Sequence, residues 1–316
     1  MSDCSLAAEP SRRHDRQVTT TDNPAIIRTR TSATAAMAVT ILLWASAFVV
    51  IRWAAPYLSP GSLALLRLLP AALALTVFVL IRSRRTGLRL PTGRPLVLTI
   101  GYGVAWFAGY TVALNWAEHH LDAGTAAMLV NVAPVLIALG AGLLFGEGLP
   151  RPLFVGMGIA LVGVLLISLT TGTGRSDVLG LVLGLLAALL YTVSLLTQKV
   201  VLRSVDPLVA TWTGCVAGLL ATVPFAGQAY GDIVRAPVSA TIAAILLGIG
   251  PTAIGFSTWA YAQSHLPTGQ LAAASLIIPV VAMIMSAIAL RELPPVLAIL
   301  GGLICLLGVV VSRRRA

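Results

Sequence analysis

Two proline–glutamate pairs carry the chain's most suggestive chemistry. Pro134 and Glu147 lie in "VAPVLIALGAGLLFGEGLP" (132–150), and Pro279 and Glu292 share their spacing in "IIPVVAMIMSAIALRELPP" (277–295). A helical proline has no N–H to donate, so the carbonyls of Val130 and Ser275 are left open for other donors. Asn131 and the Ser275 hydroxyl lie beside those positions and could bind a polar solute. Each glutamate is followed by a proline turn. There its carboxylate could accept from the first amides of the next helix and tie the hairpin as a latch. Proton exchange by these acids is the sharper alternative. Arg67 is a cation within an apolar run. It could attract a carboxylate, or snorkel outward, being about six residues, or about 9 Å, from the run's end; a structural role is the favoured reading. "EHHLD" (118–122) brings two acids and two histidines together. Adjacent residues point in different directions around a helix, so a polar outer loop explains them more simply than a metal. No metal and no cofactor are expected. An intramembrane enzyme would need paired carboxylates, a His–acid set or a metal set. None is visible, and no enzyme is expected. A GxxxxGK[ST] phosphate loop is also missing, so ATP is not a direct energy source.

The elements that must hold these residues follow from composition. Hydrophobic residues make up 58% of the chain and charged residues 10%, against about 25% charged in a soluble domain. The charges cut the sequence into charge-free stretches at 33–51, 68–81, 95–117, 123–146, 152–174, 178–198, 207–231, 236–264, 266–290 and 293–312. Most approach the roughly 20 residues that span a bilayer as a helix, and the second does so if it starts near Ser62 and includes Arg67. The reading is an all-α integral membrane protein of ten transmembrane helices. The net charge of +10 reports topology rather than nucleic acid. With alternating helices, sixteen Lys and Arg fall on the N-terminal side of the membrane; only Arg52, Arg175, Arg235 and Arg291 fall on the other. That bias predicts N-in and C-in. Residues 1–32 read as a disordered cytoplasmic tail, and the three scattered cysteines suggest neither a disulfide framework nor a metal site.

The chain repeats itself. "HLDAGTAAMLVNVAPVLIALGAGLLFGEGLP" (120–150) aligns without gaps to "HLPTGQLAAASLIIPVVAMIMSAIALRELPP" (265–295). "WASAFVVIRWAAPYLSP" (44–60) meets "YTVSLLTQKVVLRSVDP" (191–207), which places Trp44 on Tyr191, Arg52 on Lys199 and Pro60 on Pro207. Each half, 33–174 and 178–312, holds five helices. An odd number makes the halves inverted repeats, an arrangement that places a site near the midplane between them.

Over 33–312 the sequence resembles the EamA family of the drug/metabolite transporter superfamily. The resemblance is carried by "WASAFVVIRWAAPYLSPGSLALLRLLPAALAL", "VAPVLIALGAGLLFGEGLP", "GMGIALVGVLLI" and "IIPVVAMIMSAIALRELPPVLAILGGLICLLGVVV". It implies a ten-helix inverted-repeat carrier that moves small metabolites, often amino acids, usually outward. Expected partners are a small-molecule substrate and the lipid bilayer of the cell membrane, with the chain a monomer or a homodimer. A drug or natural-product efflux carrier and a non-transporting sensor stand as alternatives. Tyr102, Trp106 and Tyr110 share a helical face at i, i+4 and i+8. With Trp44, Tyr191, Trp259, Ser46, Asn115, Asn131, Thr192 and Ser275 they make the expected cavity lining, and Ser194 and Gln198 are further polar candidates. Pro134 and Pro279 are the expected kinks. GxxxG spacings at Gly142/Gly146, Gly180/Gly184 and Gly214/Gly218 permit close packing within the bundle or between subunits.

Overall fold

The computed structural model describes residues 24–87, 90–145, 151–169, 178–266, 271, 274–275 and 277–312. Glu147 lies outside them. All regular structure among the described residues is helical. In chain order the segments are α1 (Pro24–Ala54), α2 (Pro60–Thr86), α3 (Gly93–His120), α4 (Ala123–Val130 and Ala133–Phe145), α5 (Arg151–Ser168), α6 (Val178–Val201), α7 (Pro207–Arg235), α8 (Val238–His265), α9 (Ile278–Ala289) and α10 (Val296–Ser312). Seven are long and apolar enough to cross a membrane, namely α1–α4 and α6–α8. The apolar parts described in α5, α9 and α10 are shorter. Large apolar side chains such as Leu73, Val97, Leu144, Leu161, Val182 and Leu246 face outward, as lipid contact requires.

Two expectations need correction. The first helix begins at Pro24, within the segment expected to be a disordered tail; the fixed φ of proline suits a first helical position. The "EHHLD" segment is not a polar loop. Glu118, His119 and His120 complete α3, and Glu118 is fully buried. Asp122 caps α4, accepting from the Thr125 amide at 2.8 Å and the Thr125 hydroxyl at 2.7 Å.

Proline and aspartate set several helix starts. Asp206 caps α7 through the amides of Leu208 (3.0 Å) and Val209 (3.3 Å), with Pro207 in the first turn. Its carboxylate also pairs with Arg82 of α2 at 2.8 Å. Pro134 and Pro279 likewise occupy first turns rather than helix middles. α4 breaks at Asn131–Val132 and restarts at Ala133, and α9 restarts at Ile278. A missing N–H costs nothing at that position.

The main packing pairs join the two halves. α1 packs on α8, α3 on α6, α2 on α7, α4 on α9 and α5 on α10. The pattern is preserved when α1–α5 are exchanged for α6–α10. α3 and α7 approach so closely that a Cβ on Gly103 would strike the Gly214 backbone. Gly180 and Gly184 of α6 similarly sit against Leu121 and Leu129. These glycines therefore serve packing within the chain. Gly103→Ala is expected to lower the thermal midpoint in detergent, at a cost of about 1–3 kcal/mol for overpacking. Gly101→Ala, where a Cβ meets open space, is the matched control and should leave the midpoint in place.

Candidate functional site

Helices α3 and α8 share a local departure from α geometry. Val104–Tyr110 and Gly248–Ile254 are π-helical, a form concentrated at functional sites. In α8 the cause is legible. Pro251 cannot donate to the Leu247 carbonyl four residues back, and the Thr252 hydroxyl takes that carbonyl at 2.9 Å. The Pro251 carbonyl in turn accepts the Trp44 indole N–H at 3.2 Å. In α3 the Thr111 hydroxyl makes the corresponding, longer bond to the Trp106 carbonyl at 3.4 Å.

Beside the α3 segment lies a cavity with about 590 Å³ of atom-free space, counted out to its open mouth. Trp44, Trp106, Tyr110, Tyr191, Phe48 and Phe256 form its aromatic walls. Asn131, Pro134 and Ser275 line it where α4 and α9 restart, and Arg67 supplies its charge. Trp106 sits at the centre of the ring cluster, with centroids 4.9 Å from Phe256, 5.2 Å from Tyr191, 5.9 Å from Tyr102 and 6.2 Å from Trp44. A neighbouring pocket, bounded by Trp259, Gln263, Leu195 and Leu271, shares Pro134, Tyr191 and Ser275 with the first.

Other expected lining residues are turned elsewhere. Tyr102 is buried against α7, and its hydroxyl accepts from Gln198 Nε2 at 3.3 Å. The π segment between Tyr102 and Tyr110 alters the register that an ideal helix would keep. Ser46, Thr192 and Ser194 donate to carbonyls of their own helices, Leu43 (2.8 Å), Ala188 (2.8 Å) and Leu190 (2.6 Å). Asn115 is fully buried and donates to the Pro60 carbonyl at 3.1 Å, joining α3 to the start of α2. Phe48 and Phe256 were missed by sequence reasoning. Phe256 was findable, because it precedes Trp259 by three residues on one helical face.

Arg67 does not snorkel. Its side chain is buried, with the residue only 3% exposed. Nε donates to Thr252 Oγ1 at 2.8 Å, so the π segment of α8 holds the guanidinium in place. Nη1 is buried without a hydrogen-bond partner. One donor is thus fixed by the protein, and another is buried without an acceptor in a residue that lines the cavity.

Glu292 differs in its partner from the expected hairpin amides. Its carboxylate receives a two-pronged contact from Arg52 of α1, Nε at 3.1 Å and Nη2 at 3.2 Å. The planar guanidinium matches a carboxylate better than single amides do. Arg52 also donates from Nη1 to the Glu118 carbonyl at 3.0 Å. The ends of α1 and α3 and the α9–α10 connection are thereby tied together. Among the described residues no group of three or more His, Cys, Asp or Glu could hold a metal.

The EamA-like transporter family profile matches this chain twice, over residues 31–169 and 178–314. A protein of Streptantibioticus cattleyicolor named "Probable terminal-alkyne amino-acid exporter" is 32% identical, covering 89% of this chain and 93% of its own length. One from Escherichia coli named "Probable amino-acid metabolite efflux pump" is 24% identical, covering 86% and 91%. A solved crystal structure shares the fold with a TM-score of 0.60 at 21% identity, over 89% of this chain and 97% of that one. With its apolar helices and two family matches, the chain belongs to the EamA-like transporter family and is a multi-pass membrane transporter of small molecules.

Proposed function

We propose that the chain is a secondary transporter exporting small amino-acid-like metabolites by alternating access, with the substrate carboxylate received by Arg67. The carrying observation is an aromatic-walled cavity containing one buried guanidinium with an unpartnered nitrogen. A carboxylate would satisfy that donor through a charge-assisted hydrogen bond. Trp44, Trp106, Tyr191 and Phe256 would receive the apolar side chain, and Asn131 and Ser275 offer polar partners for an ammonium group. The names of the relatives from Streptantibioticus cattleyicolor and Escherichia coli support this substrate class. Efflux of cationic drugs is the second reading, since aromatic walls accept them. A fixed, partly unpaired cation in the cavity opposes it.

The architecture proposed for this activity is ten transmembrane helices in two inverted repeats, 33–174 and 178–312, with both termini on the cytoplasmic side of the cell membrane. The exchange-symmetric packing, the two π segments and the distribution of basic residues support it. One chain carries a whole cavity, so a monomer suffices for transport, and a homodimer is compatible with it.

Counterflow in proteoliposomes tests the function, using labelled amino acids and a set of cationic drugs. Exchange of amino acids is expected; exchange of drugs alone would replace this reading with the efflux one. Arg67→Gln is expected to weaken half-saturation for amino acids by roughly 10- to 100-fold, the value of a charge-assisted bond. The same variant should spare the corresponding amino-acid amides, and equal losses for acids and amides would remove Arg67 from substrate contact. Trp106→Ala should instead shift preference among side chains toward bulkier ones. A fall in folded protein with unchanged preference would assign Trp106 to packing alone.

A further inference from the structure

Glu118 is fully buried, and neither carboxylate oxygen has a hydrogen-bond partner. It falls on one face of α3 with Tyr110 and Leu114, at i, i+4 and i+8, and both of those line the cavity. Glu118 therefore continues the cavity wall one turn further, about 6 Å along the helix. The charged groups facing it come from three other places. Arg52 reaches it from α1, Arg67 from α2 and Asp122 from the α3–α4 connection. Tyr110 on its own helix is also within electrostatic reach. None of their side chains makes a hydrogen bond to its carboxylate, and the Arg52 backbone amide lies beside it. Arg52 gives Nε and Nη2 to Glu292 and Nη1 to the Glu118 backbone carbonyl, while Arg67 gives Nε to Thr252. Asp122 adds a second acid on the same side. Burial pushes its carboxyl above the usual range, with hydrogen bonds from Thr125 acting in the opposite direction.

An ionised carboxylate in that position would lack both water and a hydrogen bond, at a cost of several kcal/mol. Holding a proton removes the charge. We propose that Glu118 is a proton-binding site of the carrier, protonated while sealed from water and linked to carboxylate binding at Arg67. With Glu118 neutral, Arg67 is an uncompensated cation and attracts a substrate carboxylate. With Glu118 ionised, the two charges offset one another and the attraction weakens. Linkage is reciprocal, so a bound carboxylate favours the proton to the same extent. Opening the Arg52–Glu292 contact would admit water and free Arg52 to face Glu118, whose proton then passes to that water. The linkage, but not the proton site, rests on the reading of Arg67 as the carboxylate receptor.

The test begins with the wild-type protein in lipid. Infrared difference spectra between wild type and Glu118→Gln should contain the carbonyl stretch of a protonated carboxylic acid at neutral pH. An ionised-carboxylate signal in its place would overturn the proposal. L-phenylalanine is then titrated in over a pH series. In the wild type its apparent affinity should fall about tenfold as Glu118 deprotonates, and its addition should move that titration to higher pH. Glu118→Gln, which stands in for the protonated acid, should bind with the high-affinity constant at every pH. A wild-type pH dependence that survives in Glu118→Gln would overturn the linkage. If Arg67→Gln binds L-phenylalanine like wild type while the protonated band persists, the carboxylate reading of Arg67 falls and the proton site stands.

Discussion

Inside a bilayer every backbone N–H and C=O must find its partner within the protein, because lipid offers none. Each interruption of a helix therefore has to be repaired locally. In α8 the repair builds part of the site. Pro251 withdraws a donor, Thr252 fills the vacated Leu247 carbonyl with its hydroxyl, and the same hydroxyl oxygen accepts from Arg67. The Pro251 carbonyl orients Trp44, whose ring lies 5.2 Å from Phe256 and 5.0 Å from Trp259. One proline thus positions both the cation and an aromatic wall, through short contacts that leave little freedom for either.

The same constraint explains where polar groups accumulate. α4 breaks at Asn131–Val132 and α9 restarts at Ile278, and the cavity lies against both places. Irregular backbone at membrane depth is tolerable only where it faces protein or a watery space. The Asn131 side chain donates to the Ala127 carbonyl at 3.1 Å, satisfying part of the broken turn and leaving its oxygen for other donors. Polar capacity at the cavity is thus a by-product of helix breaks whose position the prolines help set.

Much of the helical framework was legible because charges punctuate it and no soluble core has so few. The site was only partly legible. Arg67 looked like a residue able to reach the surface because depth was counted along one helix; packing against the π segment of α8 keeps it inside. Tyr102 looked like lining because an ideal helix was assumed, and the π segment at Val104–Tyr110 breaks that register. Glu118 was read as part of a loop because acids and histidines cluster at 118–122. Whether such a cluster is solvated depends on α1, α2 and the α9–α10 connection, none of which is local in sequence. Glu292 was assigned to its own hairpin for the same reason, and its partner is Arg52, 240 residues away.

The packing also limits how access can alternate. The strongest contacts pair α1 with α8, α3 with α6 and α5 with α10, so neither half is a free-standing body that could rock against the other. Separating residues 33–174 from 178–312 would break nearly every close interface, including the backbone contact of Gly103 with Gly214. Two units that each take elements from both halves can be drawn instead, α1 with α8 and α9 and α6 with α3 and α4, and they meet where α4 packs on α9. The cavity is lined from both of these units: Trp44, Phe256 and Ser275 from one, Trp106, Asn131 and Tyr191 from the other. The Arg52–Glu292 pair lies within the first unit, and the Arg52 bond to the Glu118 carbonyl joins it to the second. Arg52 is therefore both a brace inside one unit and a tie across the seam. Any opening at that end must exchange the tie for another partner, and the Glu118 carboxylate is an unsatisfied acceptor on the far side of the seam.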